Sequence, residues 1–522
     1  MIVKTLILIA ILMQSITLQK SAVPANVESG LLSGVSTATA GVRVFKGIPF
    51  AAPPVGDLRW RPPQPAQKWQ GVRVADRFAP SCTQRLGGEL LPWTKEFMHQ
   101  GETSEDCLYL NVWTASKSPA ERRPVLAFIH GGAYQEGSGS VAVYDGEKLA
   151  AKGLIVVTIN YRLGILGFLA HPDLTKESEH NASGNYGLLD QIAALQWLKR
   201  NISAFGGDPA RITISGQSAG AFSVHNLIAS ELARGLFHGA IAESGSTMAT
   251  PPMLSLTDAE KAGVTFAESK GAHSIKELRA MSATQLITNA NIPIRIGPIV
   301  DGWSLANSPV AIIASGKHSD VPFLTGFNAD EGSASRTYGK LKATEFQKQV
   351  NDRYAEMAPA FLTFYPSASD EAAATAQKES ARDRNRVSMY VWTRTRATTS
   401  KSKAWTYFFT RAIPWPEHPE YAAFHTSEVP YVFGNLHLLN RPWSEIDRSL
   451  SEKMVAYWVN FVSKGDPNGK GLPRWPEFDA NKHITFELGE KIGVMPIADE
   501  ARVKFFTGYF ASPISKRFSV VF

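Results

Sequence analysis

The chain has 522 residues, 44% hydrophobic and only 19% charged, with 41 glycines and 31 prolines spread along it. That composition supplies a large packed core and excludes a disordered or fibrous chain. The net charge is +7, but Lys and Arg are scattered, with no long basic run and no aromatic-basic interleaving. Nucleic-acid recognition is therefore excluded, and at most a mild attraction for anions remains.

Residues 1–22 carry Lys4, a short apolar run from Leu6 to Met13 that weakens toward Leu18, and then Ser21, Ala22 and, just beyond, Ala25. This is the pattern of a cleaved signal peptide. Gln14, Ser15 and Gln19 interrupt the run well before the ~20 apolar residues that a membrane span requires. No later segment is long and apolar enough to span, so export without stable membrane insertion is expected. In an oxidising compartment the only two cysteines, Cys82 and Cys107, are expected to be bridged. No repeat or low-complexity linker divides residues 23–522, which read as one domain.

Six short β-branched runs bounded by Gly, Pro or Asp read as buried strands, at 125–129, 154–159, 211–215, 239–243, 321–326 and 403–409. A helix is predicted over 188–202, where Leu188, Ile192, Leu195 and Leu198 recur at three- to four-residue spacing and form one apolar face. Strands alternating with helices indicate an α/β fold with a large, mostly parallel sheet whose site lies at the carboxyl ends of the strands.

Gly216, Gln217, Ser218, Ala219 and Gly220 form the only GxSxG in the chain. Alone, such a pentapeptide is weak, but it follows the apolar run ITIS and precedes AFSVHNLIA. Strand, sharp turn and helix are what a nucleophile elbow requires, with small residues where neighbouring backbone comes close. A Ser hydroxyl needs a base, usually a His oriented by a carboxylate. The α/β-hydrolase order of Ser, acid and then His removes His99, His130, His171 and His180. His425, in FHTSEVPYVFG, is favoured by position. His225 and His238 read as packing residues, and His437 and His483 stay open as alternatives. For the acid, Glu331 lies just beyond a predicted strand in FLTGFNADEGS, with Asp330 as its neighbour and rival. The run VLAFIHGGAY sets His130, Gly131, Gly132 and Ala133 directly after a strand, where backbone amides can approach a reacting carbonyl; the Ala219 amide would complete such an oxyanion hole.

With these residues in view, the chain resembles the type-B carboxylesterase/lipase family, which includes the cholinesterases and neuroligins. The resemblance extends through FKGIPFAAPPVGDLRWRPPQP at 45–65, SEDCLYLNVW at 104–113, NYRLGILGFL at 160–169, GNYGLLDQIAALQWLKRNISAFGGDP at 184–209 and GDPNG at 465–469. It implies an α/β-hydrolase fold with loop and helical insertions forming a gorge. It further implies Ser218 as nucleophile, Glu331 as acid, His425 as base, and oxyanion amides at Gly132, Ala133 and Ala219. The same resemblance implies a Cys82–Cys107 disulfide and an Arg59–Glu105 ion pair beside it. Cholinesterases carry a Glu just before the nucleophile, where this chain has Gln217, which disfavours choline esters; Trp93 or Phe97 is a candidate gorge residue. The expected activity is hydrolysis of small-molecule carboxylic esters through an acyl-enzyme, with no metal or organic cofactor. The alternatives are a lipase, a narrow esterase for bulky or polycarboxylic esters, and, remotely, a non-catalytic neuroligin-like binding protein.

Overall fold

A computed structural model describes residues 24–85, 90–249, 252–288 and 295–516; the proposed leader lies outside the described residues. Eleven strands form one sheet: β1 (Val35–Ser36), β2 (Arg43–Pro49), β3 (Tyr109–Thr114), β4 (Arg123–Ile129), β5 (Ile155–Ile159), β6 (Gly207–Gln217), β7 (Gly239–Glu243), β8 (Phe323–Asn328), β9 (Ala404–Phe409), β10 (Ile484–Leu488) and β11 (Ile492–Pro496). Their spatial order is β1-β2-β3-β5-β4-β6-β7-β8-β9-β10-β11. From β5 to β10 all neighbours pair parallel, whereas β1, β2, β3 and β11 pair antiparallel at the two flanks. This is the α/β-hydrolase fold.

The parallel strands are nearly continuous apolar runs because both sheet faces are covered. In β4, Val125, Ala127 and Ile129 enter one hydrophobic cluster, while the alternating Leu126 and Phe128 enter another. The same alternation divides Ile155, Val157 and Ile159 of β5 from Val156. The sheet thus separates two cores, as a period of two residues demands. Helix α1 (Tyr186–Asn201) and α2 (Ala219–Ala229) pack against β6; α3 (Asp370–Ala397) covers β8 and β9, and α4 (Glu445–Lys464) covers β4 and β6.

All six predicted strands are present, Gly239–Glu243 with the expected ends and the other five with shifted ends. The run at 211–215 belongs to a longer strand reaching Gln217, so β6 delivers the chain to Ser218 without an intervening loop. The run at 321–326 lies two residues later, as Phe323–Asn328. The predicted helix over 188–202 begins at Tyr186 and buries far more than one face: Leu189, Asp190, Gln191, Ala194 and Trp197 are buried as well.

Asp190 is fully buried in α1 and receives Arg162 through three hydrogen bonds: the side chain at 2.8 and 2.7 Å, and its backbone amide at 3.0 Å. The pair fastens the segment after β5 to the helix that precedes β6. Removing one partner of a buried ion pair leaves the other charge uncompensated. Asp190→Ala is expected to destabilise the fold by about 3–5 kcal/mol in denaturant unfolding, whereas a loss below about 1 kcal/mol would assign the pair no structural role.

Candidate active site

Ser218 stands at the junction of β6 and α2 with φ 58° and ψ −121°, a region that non-glycine residues avoid. The glycines on either side make this turn possible. A Cβ on Gly216 would lie 2.4 Å from the Gly220 backbone, and one on Gly220 would lie 2.0 Å from the Ile129 carbonyl oxygen. The turn is held by the Ser218 amide donating to the Glu243 carbonyl (2.9 Å) and by the Phe222 amide donating to the Ser218 carbonyl (3.0 Å). Ser218 is half-buried, so its hydroxyl is both supported and reachable.

The turn after β4 lies against this elbow. A Cβ on Gly131 would sit 2.8 Å from the Gln217 carbonyl oxygen and 3.0 Å from Ser218 Cβ. Gly132 (φ 98°) and Ala133 (φ 53°) both adopt left-handed conformations, and the Gly132 carbonyl accepts from the amides of Gln135 and Glu136. Gln84 braces the turn from outside: its amide oxygen accepts from the Gly137 amide and its amide nitrogen donates to the Gly137 carbonyl, both at 2.8 Å. Gln84 follows Cys82, which is joined to Cys107 in a disulfide. Arg59 and Glu105 form the expected ion pair nearby, with hydrogen bonds of 2.7 and 2.5 Å.

Glu331 and His425 are brought together from 94 residues apart, the Glu331 carboxylate hydrogen-bonded to His425 Nδ1. Both are buried. An ionised carboxylate only accepts, so Nδ1 carries the proton and Nε2 presents its lone pair. Nε2 faces the elbow, with the Gln217 side-chain amide nitrogen 3.2 Å away. Burial works against the charged ring, but the charge and hydrogen bond of Glu331, together with the charge of Glu428, outweigh it and raise the His425 pKa. The rival acid, Asp330, points elsewhere: it binds Arg382 at 2.7 Å and accepts from the Tyr338 hydroxyl. His225 is a packing residue against Trp392, its pKa pushed down to about 4 by burial. His130 stacks on Tyr161 and is likewise held neutral. His437 is exposed, and His483 packs on Tyr390.

Asn328 has no sequence signal that singles it out, and the two candidate gorge residues, Trp93 and Phe97, take other places. The Asn328 amide donates to Glu331 Oε1 at 2.7 Å, while its side chain binds the Phe424 carbonyl and the buried Glu428. Trp93 donates through its indole N–H to the His425 carbonyl at 3.1 Å, which makes it a clamp on the His loop. Phe97 is buried against Phe424, in the core rather than in a gorge wall.

The family model described as the carboxylesterase family matches residues 21–506. The chain belongs to that family. Among its relatives, this carboxylesterase is 38% identical over 495 residues to a fumonisin B1 esterase of Sphingopyxis macrogoltabida, covering 90% of this chain and 88% of that protein. It is 35% identical over 498 residues to a cocaine esterase of Homo sapiens, covering 89% and 87%. To a cholinesterase of Mus musculus it is 34% identical over 503 residues, covering 88% and 82%. The carboxylesterase is thus a hydrolase of carboxylic esters, and its elbow geometry gives a direct test. Gly220→Ala forces the start of α2 away from the end of β4, and overpacking of this kind costs about 1–3 kcal/mol. A lowered Tm together with slowed phosphonylation of the elbow serine is expected; a variant with wild-type Tm and labelling rate would contradict the close approach.

Proposed function

We propose that this protein is a serine carboxylesterase acting through an acyl-enzyme on Ser218. The observation that carries the proposal is the Glu331–His425 hydrogen bond, with His425 Nε2 turned toward an elbow that lies against the Gly131–Ala133 turn. In the first half-reaction, His425 Nε2 takes the Ser218 proton as Oγ attacks the ester carbonyl. The amides of Gly132, Ala133 and Ala219 stabilise the oxyanion. Collapse breaks the bond to the alcohol oxygen, which leaves with the proton from Nε2. Water then gives a proton to the same nitrogen as it attacks the acyl group, and release of the acid returns that proton to Ser218. Glu331 holds the ring in the correct tautomer and stabilises the imidazolium throughout.

A cavity of about 370 Å³ adjoins the Gly132–Ala133 turn, with Ile165, Phe266, Leu286, Ile287 and Ile296 in its walls. That volume suits a short or medium acyl or alcohol group. The domain is read as 23–522, exported after removal of a leader at 1–22. A disulfide is in keeping with export, and among the described residues no helix is long and apolar enough to cross a membrane.

p-Nitrophenyl acetate and butyrate should turn over and palmitate poorly, with Ser218→Ala lowering kcat by on the order of 10⁴-fold or more. Equal activity in that variant would remove Ser218 from the mechanism. The pH dependence follows from the raised His425 pKa: the base is neutral and competent above it and protonated below it. kcat/KM should therefore fall as pH drops through a limb above the ordinary imidazole value of about 6.5. Glu331→Gln should lower kcat and move that limb to lower pH; a limb unmoved by loss of the carboxylate would contradict the pairing.

A further inference from the structure

The mechanism leaves one polar group beside the reacting centre unused. Glu136 lies four residues after Gly132 in the same turn, and its backbone amide donates to the Gly132 carbonyl at 3.0 Å. The turn sets its position closely: a Cβ on Gly132 would lie 2.1 Å from the Glu136 carbonyl oxygen and 3.0 Å from Glu136 Cγ. Glu136 lines the cavity that adjoins Gly132 and Ala133. Glu136 is half-buried, and among the described residues its carboxylate has no hydrogen bond and no ion pair. Burial alone acts on it, raising its pKa with no neighbouring charge or donor to offset the cost.

A carboxylate kept partly out of water with no ion pair among the described residues is stabilised by a cationic ligand that enters the cavity. The other charged side chain in the lining, Arg85, differs in both respects. It is exposed and anchored by two hydrogen bonds to the Ile287 carbonyl, at 3.1 and 3.0 Å. Water screens an exposed charge of that kind, so the half-buried carboxylate dominates the local field. The remaining wall is largely apolar, with Phe266, Leu286 and Ile296 among its residues. Apolar walls with a half-buried carboxylate that makes no ion pair among the described residues suit an organic cation, and Phe266 adds an aromatic face.

We propose that Glu136 is a specificity residue that selects esters bearing a protonated amine or quaternary ammonium group, held within reach of the carbonyl seated on the Gly132–Ala133 turn. This rests on the catalytic reading above. Gln217 leaves the flank of the nucleophile uncharged, and Glu136 supplies the anion on the other side of the oxyanion turn instead.

The test compares isosteric esters that differ in charge alone. On the alcohol side these are butyrylcholine and 3,3-dimethylbutyl butyrate; on the acyl side, the p-nitrophenyl esters of 4-trimethylammoniobutyric and 5,5-dimethylhexanoic acid. In at least one pair the wild type should favour the cation in kcat/KM, mainly through KM. Glu136→Gln should lower that cation-to-neutral ratio by about tenfold or more, the scale of a hydrogen bond or contact to a charged group. Tetramethylammonium, assayed as a competitive inhibitor against p-nitrophenyl butyrate, should weaken in parallel. Ratios that are equal in wild type and Glu136→Gln for both pairs would overturn the proposal. A wild type that fails on p-nitrophenyl butyrate itself would instead overturn the catalytic reading, so the two failures are distinct.

Discussion

The Ile129 carbonyl oxygen occupies the space where a side chain on residue 220 would begin, 2.0 Å from such a Cβ. Because residue 220 is glycine, α2 can start directly against the end of β4, and Ser218 is forced into a backbone conformation that costs about 1–3 kcal/mol. The chain tolerates this because the Ser218 amide and carbonyl are both hydrogen-bonded and β6 is fixed between β4 and β7. One close approach therefore joins two strands that end side by side, β6 leading to Ser218 and β4 continuing into the Gly131–Ala133 turn. Catalytic groups held by strand ends rather than by free loops need little reorganisation when the substrate carbonyl becomes an oxyanion.

Beneath the histidine lies an array of buried acids. Glu331, Glu428 and Glu243 are all buried, and Asn328 links the first two by donating to each. Glu243 accepts from Ser215 and from the Trp458 indole N–H. Three carboxylates in one apolar region cannot all ionise at ordinary cost. Burial, and repulsion from the neighbouring carboxylates, push Glu428 and Glu243 upward. Glu331 alone has the cationic form of His425 as its direct partner. Of the deeper two, Glu428 holds Asn328 and Ser244 in place, while Glu243 holds Ser215 and the Trp458 indole.

The parts of this arrangement legible in the sequence were those with strong local signals. Apolar runs marked the parallel strands, since burial on both faces requires uninterrupted hydrophobicity. The antiparallel flanking strands, such as β2 and β11, were missed because their mixed, half-exposed residues carry no such run. The elbow and the HGGAY turn could be read because backbone crowding demands glycine at fixed spacing. Glu331 and His425 were harder: their pairing spans 94 residues, and local context alone left Asp330 open until Arg382 was seen to occupy it. Gln84 and Glu136 carry no local signal, and Trp93, legible only as a candidate gorge residue, clamps the His loop instead, because each acts through a contact made only after distant segments fold together.

The mechanism requires a covalent ester on Ser218, and trapping that ester tests it without reliance on turnover. Rapid mixing with p-nitrophenyl butyrate, followed by an acid quench, digestion and mass spectrometry, should show one butyryl group on the Ser218 peptide, with p-nitrophenol released no later than the adduct forms. Steady turnover with no adduct at any quench time, or an acyl group on another residue, would contradict the mechanism even if the protein proved to be an active esterase.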